Sequence, residues 1–187
     1  GYLPTGDLFN KIYGNTGWKA ITIRSLSIGQ GEILVTPLQL ANQAAAIANK
    51  GYYITPHLNR NDSMKSAIHQ TGVDSCHFDV VHRGMERVMT DGTGRWYNIA
   101  DLHICGKTGT VQNPHGDDHA LFIGFAPKDD PQIAVAVAVE NAGFGATWAC
   151  PMATLIIEQY LTGEIKRKSL YDRMATANLI NKEDEQE

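Results

Sequence analysis

Apolar and polar positions change period along this chain, and each change predicts an element. The clearest helical start is Thr36, an N-cap followed by Pro37 at the first helical position and by Gln39, which completes a capping box. Leu38, Ala41, Ala44, Ala45 and Ala48 then form an apolar face of mostly small side chains, and Gly51 is placed to end the helix. A second helix is predicted over residues 75–89, with Phe78, Val81, Met85, Val88 and Met89 inward, broken by Asp91-Gly92-Thr93-Gly94. Upstream, residues 1–19 are rich in turn formers, residues 20–24 read as a short strand, and a glycine-bearing loop follows over 27–32. Residues 52–71 begin extended and then turn polar without a usable period. In the C-terminal half the period drops to two, predicting strands over 103–111, 120–125 and 132–140. In the last of these, Ile133, Val135, Val137 and Val139 alternate with Ala134, Ala136 and Ala138, so both faces are apolar and a helix is expected on the alanine face. Residues 127–131 suit a hairpin turn between the last two strands. A closing helix is expected from Pro151, with Met152, Leu155, Ile156 and Tyr160 inward and a stop near Gly163. Helices and antiparallel strands without a βαβ alternation predict an α+β fold, an antiparallel sheet covered by helices.

No repeat or linker divides residues 1–163, which read as part of one domain; residues 164–187 read as a polar, charged, flexible tail that opens with Lys166-Arg167-Lys168 and closes in acidic residues. Composition narrows the classes further. With 43% hydrophobic and 19% charged residues the 187-residue chain can build a core, and its net charge of -4 argues against a nucleic-acid partner. No apolar run approaches the roughly 20 residues that span a bilayer. Cys76, Cys105 and Cys150 include no CxxC pair and read as up to three buried thiols. His115, Asp117, Asp118 and His119 carry metal-type donors, but Pro114 and Gly116 make the segment a loop, and no metal or cofactor is expected.

The chemistry concentrates in Gly106-Lys107-Thr108-Gly109-Thr110, inside a predicted strand. A phosphate-binding loop would need glycine five positions before Gly106; Asp101 stands there, and no helix signal follows Thr108. The alternative is the Lys-Thr-Gly signature of serine acyl enzymes acting on D-alanyl peptides and β-lactams. There Lys107 offers a fixed cation to a substrate carboxylate, and the Thr108 and Thr110 hydroxyls add hydrogen bonds. Gly109 clears the strand where substrate lies, and the Thr110 backbone amide is the expected oxyanion donor. A substrate peptide would join the strand as an extra edge partner. Trp96, Tyr97 and Trp148 read either as groove-lining aromatics or as core, and His103 and Cys105 as sharing one face of this strand.

Five segments in order resemble the class B penicillin-binding proteins: Ser27-Ile28-Gly29-Gln30-Gly31, Thr36-Pro37-Leu38-Gln39, Gly106 to Thr110, His119 to Pro127, and Val139-Glu140-Asn141. The resemblance runs from about residue 1 to about residue 163. It implies a peptidoglycan D,D-transpeptidase on the periplasmic face of the inner membrane, acting on D-Ala-D-Ala stem peptides and trapped by β-lactams. It also implies a membrane-anchored parent with elongation-complex membrane proteins as partners. Such an enzyme uses a Ser-x-x-Lys nucleophile and a Ser-x-Asn motif. None of Ser25, Ser27, Ser63, Ser66, Ser75 and Ser169 is followed by lysine at the third position or by asparagine at the second. Both motifs are therefore expected before Gly1, and this chain alone is expected to be inactive. A β-lactamase or β-lactam sensor of the same superfamily, and a non-catalytic peptide- or partner-binding module, are the alternatives.

Overall fold

The computed structural model describes residues 1–15, 17–58 and 68–180. Ser63, Ser66 and the acidic end of the tail lie outside the described residues. The chain is α+β: α1 (Gly6–Tyr13), α2 (Ala20–Ser27), α3 (Pro37–Ala48), β1 (Tyr52–Ile54), β2 (Ile68–Gln70), α4 (Ser75–Thr90), two 3-10 turns (Arg95–Tyr97 and Ala100–Leu102), β3 (Cys105–Val111), β4 (His119–Ala126), β5 (Ile133–Val139), α5 (Ala149–Thr162) and α6 (Lys168–Thr176). The main sheet runs β3-β4-β5, antiparallel throughout, and β1-β2 form a separate two-stranded ribbon.

The two faces of the main sheet bury different residues because the pleat alternates them. On one face Cys105, Phe125 and Ala134 meet Ala48 of α3 and Met85 of α4, so a helix does sit on the alanine side. On the other, Ala120, Phe122 and Val135 pack beneath Ala149, Cys150, Ala153 and Ile157 of α5. The small residues of α3 permit that close approach. Its capping box closes as the sequence suggests: Gln39 N–H donates to Thr36 Oγ1 (3.3 Å) and Thr36 N–H to Gln39 Oε1 (3.0 Å). The helix ends at Ala48, two residues before a left-handed Lys50, with Gly51 at φ 113.

Several expectations need correction. Residues 20–24 are helical, not a strand: the β-branched Ile21, Thr22 and Ile23 favour strands only weakly, and among the described residues no neighbouring strand is offered to them. The turn-rich start contains α1, capped by Thr5, whose Oγ1 accepts from Leu8 N–H, and anchored by Phe9 against Trp18. In α4 the buried line is Phe78, His82, Met85 and Met89, and Val81 is exposed; His82 is accommodated because its Nε2–H donates to the Ile47 carbonyl at 2.7 Å. In α5 Ile156 and Tyr160 face outward, while Thr154 and Glu158 are buried. Its first residue is Ala149, two before Pro151. Cys105 and Cys150 are buried but Cys76 is exposed. His103 lies before β3, left-handed at φ 44 and exposed, and shares no strand face with Cys105. The segment from residue 164 read as a flexible tail contains α6, docked through Arg167 and Arg173.

Candidate active site

The Gly106–Thr110 segment lies within β3, the outer strand of its sheet. Lys107 stands opposite Ile123, Thr108 opposite Phe122, Gly109 opposite Leu121 and Thr110 opposite Ala120. Which of these residues turn their amides outward follows from one close contact. A Cβ on Gly145 would lie 2.3 Å from Gly109 O and 2.4 Å from Leu121 O, so the two oxygens are within about 5 Å of each other. Only a hydrogen-bonded antiparallel pair brings its carbonyls so near. Gly109 therefore bonds to β4, and by alternation Gly106, Thr108 and Thr110 direct N–H and C=O to the outer edge. Among the described residues no backbone hydrogen bond reaches that edge. An extended peptide can add at such an edge, where the Thr108 and Thr110 N–H groups point away from β4.

The side chains divide between the faces. Thr108 lies on the Phe122 face, and its Oγ1 is 2.8 Å from Oγ1 of Thr93, in the turn after α4. Lys107 and Gly109 lie on the opposite face, beside Ile123 and Leu121, with Ala136 and Ala138 beyond. This part of the face is only partly covered: Leu121, Ile123 and Ala136 are half-buried and Ala138 is exposed. Lys107 is exposed, and its Nζ donates to the Thr108 carbonyl at 2.6 Å. That is a rotatable cation resting on the same open edge, free to turn to a carboxylate.

The glycines differ in purpose. A Cβ on Gly106 would stand 2.2 Å from Phe122 Cζ, so this glycine makes room for a core ring. A Cβ on Gly109 would meet Leu121 Cβ at 3.3 Å, a tight contact that a shift of a few tenths of an ångström relieves. Gly145 lets the β5–α5 loop lie directly on the β3–β4 backbone. That loop is tied to the β3–β4 turn: Asn113 Nδ2–H donates to Asn141 Oδ1 (2.7 Å), and Asn141 N–H donates to His119 Nδ1 (3.1 Å). Asp118 Oδ1 meanwhile accepts from Asn113 N–H (3.2 Å). Of the metal-type donors in this loop, the Asp118 carboxylate and the His119 ring are thus engaged in holding it, and among the described residues no group of three His, Cys, Asp or Glu is placed to hold an ion.

Trp96 projects into solvent beneath Arg95, Tyr97 lies under Arg173, and Trp148 packs on the core below α5. Thr93 and Gly145 were not singled out from the sequence. A Gly-Thr-Gly turn ahead of the Lys-Thr-Gly strand was the available signal for the first; for the second there was none, because the contact joins residues far apart in the chain.

The profile of the penicillin binding protein transpeptidase domain matches residues 5–158. A peptidoglycan D,D-transpeptidase of Acinetobacter baumannii, MrdA, is 33% identical over 184 residues, covering 80% of this chain and 27% of that protein. The structure of Pseudomonas aeruginosa PBP2 in complex with WCK 5153 superposes with a TM-score of 0.69 at 34% identity, over 88% of this chain and 38% of that one. PBP2 of Helicobacter pylori, solved as a complex with MreC, gives a TM-score of 0.73 at 25% identity, over 86% of this chain and 31% of that one. The chain therefore spans less than two-fifths of each of these proteins.

Proposed function

Because this chain belongs to the penicillin-binding protein transpeptidase family, we propose that it supplies the substrate-binding wall of a peptidoglycan D,D-transpeptidase of the penicillin-binding protein 2 type. The observation that carries this reading is the Gly106–Thr110 strand, at the open edge of its sheet with an exposed Lys107. In the reaction, a serine oxygen attacks the carbonyl of the penultimate D-Ala of a stem peptide, and the terminal D-Ala leaves with the proton held by a lysine base. An amine of a second stem peptide then takes the acyl group and frees the serine. Lys107 pairs with the donor carboxylate, assisted by the Thr108 and Thr110 hydroxyls. The donor backbone lies along the outer edge of β3 over Gly109, and the Thr110 N–H donates to the oxyanion. β-Lactams, which mimic the donor, occupy the same wall.

Neither the nucleophile nor its lysine is among the residues of this chain, since no serine carries lysine at the third following position. We place the activity on the periplasmic face of the bacterial inner membrane, with a membrane-anchored parent. No helix among the described residues is long and apolar enough to cross a membrane. By likeness to the Helicobacter pylori complex, an MreC-type elongation protein is the expected partner.

Labelling with a fluorescent penicillin tests the reading. The 187-residue chain should show no covalent band, and the full-length protein containing it should show a stoichiometric, heat-stable one. Lys107→Ala in the full-length protein should slow acylation by about 10- to 100-fold, the loss of one charge-assisted hydrogen bond. A stoichiometric label on the isolated chain, or unchanged acylation in the variant, overturns it.

A further inference from the structure

The family match ends at residue 158, yet the segment beyond it is packed against the turn that supports the substrate strand. Glu158, the last matched residue, is 4% exposed near the end of α5. Its Oε1 accepts from Lys166 N–H (3.0 Å) and its Oε2 from Arg167 Nε–H (2.9 Å). Arg167 then reaches across the chain: its Nη1–H donates to the Tyr97 carbonyl at 3.0 Å. From the next helix, Arg173 Nη2–H donates to Tyr97 Oη at 3.1 Å, with its guanidinium 5.7 Å from the ring centre. Tyr97 N–H in turn donates to Gly94 O (3.0 Å), and Gly94 is the neighbour of Thr93, whose hydroxyl holds Thr108.

We infer that residues 158–173 form a strap in which Arg167, anchored on buried Glu158, positions the Gly92–Tyr97 turn and through Thr93 sets the orientation of Thr108 in the substrate strand. Arg167 is a positioning residue: it touches no reacting atom. A planar guanidinium suits the task because it can serve a carboxylate and a carbonyl in fixed directions at once, which an ammonium on a flexible stem cannot. A carboxylate as deeply buried as that of Glu158 is costly unless paired, so the strap and the end of α5 hold each other in place. Among the described residues Arg167 Nη2 is buried without an acceptor, which offsets part of that gain.

The inference rests on the transpeptidase reading, and two measurements on the full-length protein keep the two separable. In hydrogen exchange, Arg167→Ala should speed exchange at the Gly94 and Tyr97 amides by about tenfold, the loss of one charged hydrogen bond; unchanged exchange there overturns the strap whether or not the enzyme acylates. In β-lactam acylation well below the melting temperature, Arg167→Ala and Thr93→Val should each slow the reaction by about tenfold, less than the roughly 100-fold that a 1 Å misplacement costs. The double variant should be no slower than the slower single, because both act through one contact. Slowing that multiplies to about 100-fold, as independent defects do, overturns the strap. If Arg167→Ala does not fold, Arg173→Ala, which loosens only the hold on Tyr97, is read the same way against Thr93→Val. Wild-type protein that is never labelled sinks the transpeptidase reading, whereas labelled wild type with multiplying variants sinks the strap alone.

Discussion

Replacing Gly106 by alanine tests whether the first glycine of the Lys-Thr-Gly strand serves substrate or core. The added Cβ would stand 2.2 Å from Phe122 Cζ and 2.7 Å from Cε2. Phe122 is 1% exposed, and on its other side a Cβ on Gly124 would already come within 2.7 Å of the same ring. The ring cannot swing away without opening the cluster beneath α5. Overpacking of this kind costs about 1–3 kcal/mol, and removing a glycine from a strand returns about 0.5–1 kcal/mol, so the net loss is about 0.5–2 kcal/mol. With an m-value of about 2 kcal/mol/M, the urea midpoint should fall by about 0.3–1 M. Tryptophan fluorescence is a suitable probe, since Trp148 packs against the same cluster. Phe122→Leu should partly rescue Gly106→Ala, giving a coupling of about 1 kcal/mol in a double-mutant cycle. A Gly106→Ala protein as stable as wild type, or effects that simply add, would refute the packing role.

Two further outcomes follow from the ionisable groups. Burial holds the Cys105 and Cys150 thiols up at about 12, whereas Cys76 is exposed. Iodoacetamide at pH 8 should therefore add one group to the native protein and three in denaturant, counted by mass; more than one in the native protein would show that a core thiol is reached. On the acid side, the Cys76 backbone N–H holds the Asp74 carboxyl below its ordinary value, and Lys50, at 2.8 Å, does the same for Asp79. Both contributions are complete above the unfolded aspartate value of about 3.9 and are lost as pH falls through the lower folded values. Asp74→Asn and Asp79→Asn should accordingly flatten the fall of unfolding free energy below about pH 5, and an unchanged slope would dismiss both contacts.

The parts legible in the chain are those set within a few residues. Thr36, Pro37 and Gln39 start α3 because a cap needs only its own first turn. Ile133 to Val139 pairs with β4 because a two-residue period and a short turn leave one antiparallel arrangement open. The Lys107–Thr110 segment was recognisable for the same reason, as four consecutive residues with one chemistry. What the sequence does not show is whatever depends on a distant partner. The inward phase of α5 was misread because Glu158 counts as a surface residue until Arg167 pairs with it. The phase of α4 was misread because His82 counts as polar until the Ile47 carbonyl accepts its proton.

By itself, then, the sequence determined the α+β class, the hairpin order of the main sheet and the position of the Lys-Thr-Gly segment within a strand. Only the tertiary structure decided that β3 is the outer strand, with the Thr108 and Thr110 amides directed away from β4. The same is true of Thr93 on Thr108, of Gly145 against the strand, and of a segment resembling a tail that became α6. The physical reason is range. Caps, pleats and motifs are satisfied by neighbours in the chain, whereas an open edge and a buried ion pair exist only once segments as far apart as Tyr97 and Arg167 have met.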